Sequence, residues 1–148
     1  MSPAPLPDSS SPKPSCRGVR GATQVPADTE PAILKATAEL FQALVAANEI
    51  APADLAAIVF TMTPDLVSAF PAQAASMANF EGIPRICAQE IAVPGSLPRC
   101  LRILLIWNAP ELAPATIHLY TNGAEALTFA PTLLTDIAQA LPQTRSST

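Results

Sequence analysis

The sequence predicts an α+β domain, α/β-like in its alternation, built as a mixed β-sheet packed with one long helix. Three observations carry that expectation. Ile33, Leu34, Thr37, Leu40, Phe41, Leu44 and Val45 recur at helical spacing and define one apolar face. Apolar runs at residues 55–61 and 100–107 have strand length rather than helix length. The first 14 residues hold five prolines among serines, the composition of a flexible tail rather than of packed structure. The expected boundaries are a disordered Pro/Ser-rich tail over residues 1–15, one domain over 16–141, and a flexible C-terminal tail over 142–148.

Residues 16–23 read as a strand in which Gly18 and Gly21 permit bends or close backbone approach. Asp28 or Thr29 can cap the long helix, Pro31 suits its first turn, and the apolar face runs to about Asn48. Pro52 and Asp54 start a turn before the strand at 55–61. Thr63-Pro64-Asp65 ends that strand, and a short helix is expected around 72–78. A strand follows at 84–90. Pro94-Gly95-Ser96 is a turn signal ahead of the apolar strand at 100–107, which reads as central and covered on both faces. Residues 116–121 read as another strand, with Asn122-Gly123 turning the chain into a hairpin with 125–129. A last helical turn or two is expected at 133–140. The resulting order is β-α-β-α-β-β-β.

Composition narrows the function classes. With 148 residues, 49% apolar and 14% charged, the chain can bury one core and leaves little charge to cover its surface, as expected where a partner subunit covers part of it. No apolar run approaches the roughly 20 residues that span a membrane. The N-terminus lacks the hydrophobic core of a secretory signal, so a cytoplasmic location is expected. Cys16, Cys87 and Cys100 have no CxxC spacing and His118 is the single histidine, which argues against a zinc site and against a disulfide framework. No metal and no cofactor are expected. A net charge of −4 argues against nucleic acid.

The placement of positive charge is more telling than its sum. Lys13 and Arg145 lie in the tails and Lys35 on the helix, while Arg17, Arg20, Arg85, Arg99 and Arg102 lie in or beside expected strands. A guanidinium grips carboxylates through two bonds at once and keeps its proton. An acidic chain that keeps arginines within apolar strands therefore points to a small anionic ligand. The competing explanation is structural: these arginines pair with Glu81, Glu90 or Glu125.

Six segments stand out in order: RGVRGAT at 17–23, Asp28-Thr29-Glu30, TPDL at 63–66 followed by AFPA at 69–72, CAQE at 87–90, Arg99-Cys100-Leu101-Arg102, and HLY at 118–120. Together they resemble the compact Bacillus-type chorismate mutases (AroH class), from about residue 16 to residue 131. The resemblance implies a homotrimer, a pseudo α/β-barrel with active sites in the clefts between subunits. It implies the pericyclic Claisen rearrangement of chorismate to prephenate in tyrosine and phenylalanine biosynthesis, with no cofactor. By the same resemblance, Arg102 reaches the ether oxygen of the breaking C–O bond and Arg20 binds the side-chain carboxylate, helped by the Tyr120 hydroxyl. Glu90 and Cys87 meet the ring hydroxyl. Phe70 and Ala72 line the site, as does Phe129 near the C-terminus. Such a reaction asks for no nucleophile, acid or base. It asks for a compact substrate conformer and a fixed cation where negative charge grows.

Alternatives accompany these roles. A Glu90–Arg102 salt bridge would serve structure alone. Arg17, Arg99 and His118 read as structural, and Cys87 as a small buried residue. Strand alternation sets Cys87 and Glu90 on opposite faces unless the chain bends or ends near Gln89. Gln73, Ser76 and Ala130 are uncharged where the family commonly carries cations, which predicts weaker capture of the dianion and a raised KM; Arg85 is expected to compensate in part. The alternative function is a non-catalytic or weakly active dicarboxylate-binding or regulatory relative. A trimeric enamine/imine deaminase has a similar outline, but CAQE and RGVRGAT do not suit it.

Overall fold

A computed structural model of the chain describes residues 14–75 and 79–127. Five strands and two helices follow in the order β1 (Ser15–Gln24), α1 (Glu30–Ala47), β2 (Leu55–Met62), α2 (Ala72–Ala75), β3 (Arg85–Gln89), β4 (Cys100–Ala109) and β5 (Leu119–Thr121), with 3-10 turns at Pro52–Asp54 and Glu125–Leu127. The strands form one mixed sheet in the order β3-β2-β4-β1-β5. β4 runs antiparallel to both β1 and β2, while the edge strands β3 and β5 run parallel to β2 and β1. The mixed sheet with one long helix is as the sequence predicts.

α1 begins where its N-cap chemistry is satisfied: Thr29 Oγ1 accepts the Ala32 N–H, with Glu30 and Pro31 in the first turn. Asp28, the other candidate cap, is engaged elsewhere. The helix buries Ile33, Leu40, Phe41 and Leu44 against Val19, Ile58, Phe60, Leu101, Ile103 and Leu105 of the sheet. Gly21 allows the close approach: a Cβ there would lie 2.9 Å from the Leu119 carbonyl and 3.0 Å from methyls of Leu40 and Leu44. Any side chain at 21 would push the helix off the sheet.

Three expectations need correction. β4 alternates between buried Leu101, Ile103, Leu105 and Trp107 and outward Arg102 and Leu104, so within this chain its second face is covered only at Cys100, which packs with Ala22 and Ala124. The strand expected at 116–121 starts only at Leu119. Ahead of it, both backbone groups of Ile117 bond the Asn48 side chain, and the Arg20 N–H bonds the His118 ring, so no ladder forms there. The Asn122-Gly123 turn is present with φ of 53° and 96°, yet residues 125–127 coil as a 3-10 turn instead of returning as a strand. Gly123 N–H donates to Glu125 Oε2 at 2.8 Å, and Leu127 N–H to the Ala124 carbonyl, which curls the chain locally. The expected elements at 76–78, 128–129 and 133–140, and most of both tails, lie outside the described residues.

Candidate active site

Strand register assembles the site. Ala22 pairs with Tyr120 on one side and Arg102 on the other, Arg102 with Thr61, and Thr61 with Ala88. Partnered residues share a face, so Tyr120, Ala22, Arg102, Thr61 and Ala88 form a single row across all five strands, on the side of the sheet away from α1. Two residues along, Arg20, Leu104, Val59 and Ile86 form the neighbouring row.

A cleft of about 330 Å³ opens on this face, lined by Arg20, Thr61, Arg102, Tyr120, Leu104 and Leu127 among others. Arg102 Nε meets Glu90 Oε1 at 2.9 Å, and the Thr61 hydroxyl donates to the same oxygen at 2.6 Å. The Glu90 side chain is 15% exposed and the Arg102 side chain 46%, so the carboxylate is largely sheltered while the guanidinium reaches the mouth of the cleft. The sequence posed a salt bridge and a ligand-facing arginine as rivals; the salt bridge is present, and because it runs through Nε it leaves the side chain partly exposed at the cleft. The Arg20 guanidinium stands over the Tyr120 ring, 6.0 Å from its centroid. Two cations thus line a small, largely apolar cleft, chemistry suited to a compact anion.

A second cleft, about 510 Å³, lies beyond β3 and is lined by Phe70, Gln73, Cys87, Gln89 and Met62 among others. Cys87 pairs with Phe60 and so faces the α1 side, while Glu90, beyond the end of β3, turns to Arg102. Alternation therefore holds, and the structure brings Glu90 to Arg102 but not to Cys87. Phe70 is 68% exposed at this cleft. Ala72 packs against the core and lines neither cleft. Phe129, Ser76 and Ala130 lie outside the described residues.

The other arginines act on backbone. Arg17 donates through Nη1 to the carbonyls of Ala113 and Pro114, and Arg99 through Nε to Val25. Arg85 is corrected: it donates to the carbonyls of Ile83, Ala72 and Phe80, so it staples α2 and the following segment to β3 and does not stand in for the missing outer cations. Its planar fork suits three carbonyls converging at a strand start.

Carboxylates fix the loops behind the site. Asp28 Oδ1 accepts the N–H groups of Val67 and Ser68, which hold its carboxyl below the usual range, Val67 contributing most. Asp65 is likewise held low, first by the Thr63 hydroxyl at 2.6 Å and then by the Arg99 N–H. Burial pushes the Cys100 thiol up, with the Arg102 charge opposing. Among the described residues no cluster of three or more His, Cys, Asp or Glu is placed to hold a metal ion, and no helix is long and apolar enough to cross a membrane.

Thr61, Val59, Leu104 and Leu127 are among the lining residues that sequence reasoning missed. The polarity of Thr61 at the exit of an apolar strand is visible in the sequence, but the partner it meets on β4 is not.

The chain has relatives among known proteins. Residues 16–129 match the family model for chorismate mutase type I. The chorismate mutase AroH of Thermus thermophilus is 45% identical over 112 residues, covering 75% of this chain and 92% of the relative. That of Bacillus subtilis (strain 168) is 38% identical over 112 residues, covering 75% and 88%. A solved chorismate mutase structure from Clostridium thermocellum superposes with a TM-score of 0.68 at 34% identity, covering 74% of this chain and 98% of its own.

Proposed function

We propose, from the premise that this chain belongs to the type I chorismate mutase family, that the cleft around Arg20, Arg102 and Tyr120 is where it rearranges chorismate to prephenate. The chain is a chorismate mutase, an isomerase of aromatic amino acid biosynthesis; the residue roles are what is proposed. The reaction is intramolecular: the ether C–O bond breaks as a new C–C bond forms, with no proton moved to or from the protein. Its barrier falls if the substrate is held compact and the oxygen that gains negative charge meets a fixed positive group.

Arg102 fits that role because its Nε is tied to Glu90, and Glu90 in turn to Thr61, while much of the side chain faces the cleft. A guanidinium restrained on one edge keeps its terminal nitrogens for a ligand without having to order a free side chain first. Arg20, two residues from Ala22 on the strand beside Arg102, binds the side-chain carboxylate in this proposal, and the Tyr120 hydroxyl assists. The single observation that carries the assignment is the row that register builds: Tyr120, Ala22, Arg102 and Thr61 on one face of one cleft.

We propose further that the site is shared between subunits of a homotrimer, active in the cytoplasm. Phe70, Gln73 and Cys87 line a cleft separate from the one that holds Arg102, so one chain presents two partial sites. The sheet face bearing Arg102 also presents Leu104 and Ile86, 37% and 62% exposed, an apolar surface that neighbouring copies would cover. Joining the arginine cleft of one subunit to the Phe70–Cys87 cleft of the next completes a pocket.

The test follows chorismate loss by ultraviolet absorbance with the purified protein and Arg102→Ala, alongside light scattering after size exclusion. The expected result is a trimer whose kcat falls by roughly 10²–10³ in the variant, as when one preorganised oxyanion donor is lost. Unchanged turnover in Arg102→Ala overturns the mechanism; a stable active monomer overturns the shared site.

A further inference from the structure

β5 is an unusually weak carrier for a binding residue. It has three residues, sits at the edge of the sheet, and has one neighbour, to which it runs parallel through the pairs Gly21–Leu119, Ala22–Tyr120 and Thr23–Thr121. Parallel edge pairing of that length is marginal by itself. Something else holds it.

Asn48 ends α1, where its Nδ2 caps the Leu44 carbonyl at 2.9 Å. The same Nδ2 donates to the Ile117 carbonyl at 2.9 Å, and its Oδ1 accepts the Ile117 N–H at 2.8 Å. One side-chain amide therefore satisfies both backbone groups of Ile117 and acts as a substitute strand partner. Its base is firm, because Leu44 is fully buried in the core. At the next residue, His118 Nδ1 accepts the Arg20 N–H at 3.1 Å, extending the join to β1 by one position beyond the backbone ladder. At the other end of β5, Asn122 Nδ2 donates to Thr23 Oγ1 at 3.1 Å. Side chains secure both ends of the strand that carries Tyr120.

We infer that Asn48, with His118, is a positioning residue for the reaction: it clamps the start of β5 to the end of α1 and thereby fixes Tyr120 beside Arg20. The inference rests on the assignment of Tyr120 to the substrate site. The Asn48 side chain bonds Leu44 and Ile117, neither of which lines the cleft, so its effect passes through the start of β5, which carries Tyr120 two residues beyond His118. No other side chain type offers the same donor and acceptor at that length: Asp loses both donated bonds and Ala loses all three.

The experiment measures KM and kcat for Asn48→Ala, Tyr120→Phe and the double variant, with His118→Leu as a second probe that leaves the helix cap intact should Asn48→Ala fold poorly. Asn48→Ala is expected to raise KM by about five- to tenfold with kcat within about twofold, because it loosens a binding group and not Arg102. His118→Leu is expected to move KM in the same direction. In the Tyr120→Phe background, Asn48→Ala should add less than about twofold, the mark of two residues acting as one. If Tyr120→Phe raises KM while Asn48→Ala and His118→Leu do not, the clamp is refuted and the Tyr120 assignment stands. If the two changes multiply independently, Asn48 acts by another route and the inference fails. If Tyr120→Phe leaves KM unchanged, the assignment of Tyr120 falls, and the positioning role falls with it.

Discussion

Replacing Thr61 by valine removes one hydroxyl and keeps the β-branched shape that the strand prefers. The hydroxyl donates to Glu90 Oε1 at 2.6 Å, the oxygen that also takes Arg102 Nε at 2.9 Å. A hydrogen bond to a charged group is worth about 1.5–3 kcal/mol, and the 15% exposure of Glu90 lets some water replace it, which favours the lower end, about 1.5 kcal/mol. With a urea slope of about 1–3 kcal/mol per molar, the unfolding midpoint should fall by about 0.5–1.5 M. Comparisons need equal protein concentration, because association adds to apparent stability. Catalysis should suffer as well. A carboxylate free to swing carries Arg102 with it, and the loss falls on an interaction that strengthens as the bond breaks, so kcat should drop about tenfold, equivalent to about 1.4 kcal/mol, with little change in KM. Thr61→Ser restores the hydroxyl and should recover most of both effects. A valine variant with wild-type kcat and an unmoved midpoint would refute the idea that Thr61 and Glu90 hold the guanidinium.

Two further outcomes concern charge. Gln73→Lys puts a cation on the exposed rim of the Phe70–Cys87 cleft and should lower KM several-fold, an effect that fades with added salt; an unchanged KM at low salt would count against the view that the uncharged rim limits substrate capture. Asp65→Asn should lower the melting temperature at neutral pH. The folded-state pKa of Asp65 is depressed below 3.8, so its contribution is present above that value and is lost as pH falls through the lowered pKa. The gap between variant and wild type should therefore close in strong acid, and a gap independent of pH would exclude the charged carboxylate as its source.

The features legible in the sequence were the local ones. The apolar spacing from Ile33 to Val45 needs no distant partner to signify a helix, and residue type narrows its cap to Asp28 or Thr29, a choice settled by the distant bonds of Asp28 to Val67 and Ser68. Composition draws attention equally to Arg17, Arg20, Arg85, Arg99 and Arg102; it is the family resemblance of the segments that singles out Arg20, Arg102 and Tyr120. Thr61 is not among them, since its role depends on the pairing of β2 with β4, and register between strands far apart in sequence leaves no local trace. Arg85 misled for a related reason: a cation near a site reads as electrostatics, whereas its partners are three carbonyls whose convergence only the fold reveals. The Asn122-Gly123 signal correctly marked a turn but not the path of the chain beyond it, because a side-chain bond from Glu125 decided the next residues.

The placing of Arg102, Thr61 and Tyr120 along one rung has a consequence for how such a chain tolerates insertions and deletions. Side chains alternate with period two, so losing a single residue inside β2, β4 or β1 would swing every later side chain of that strand to the opposite face. The guanidinium would then press into the oily layer beneath α1. β2 already contains one irregularity, at Ala56, and from Ala57 to Met62 its pairing with β4 runs without a further shift, so the rung at Thr61 lies inside a regular stretch. Length variation in this architecture should accumulate in the connections and spare the strands between the Ala56 irregularity and the rung.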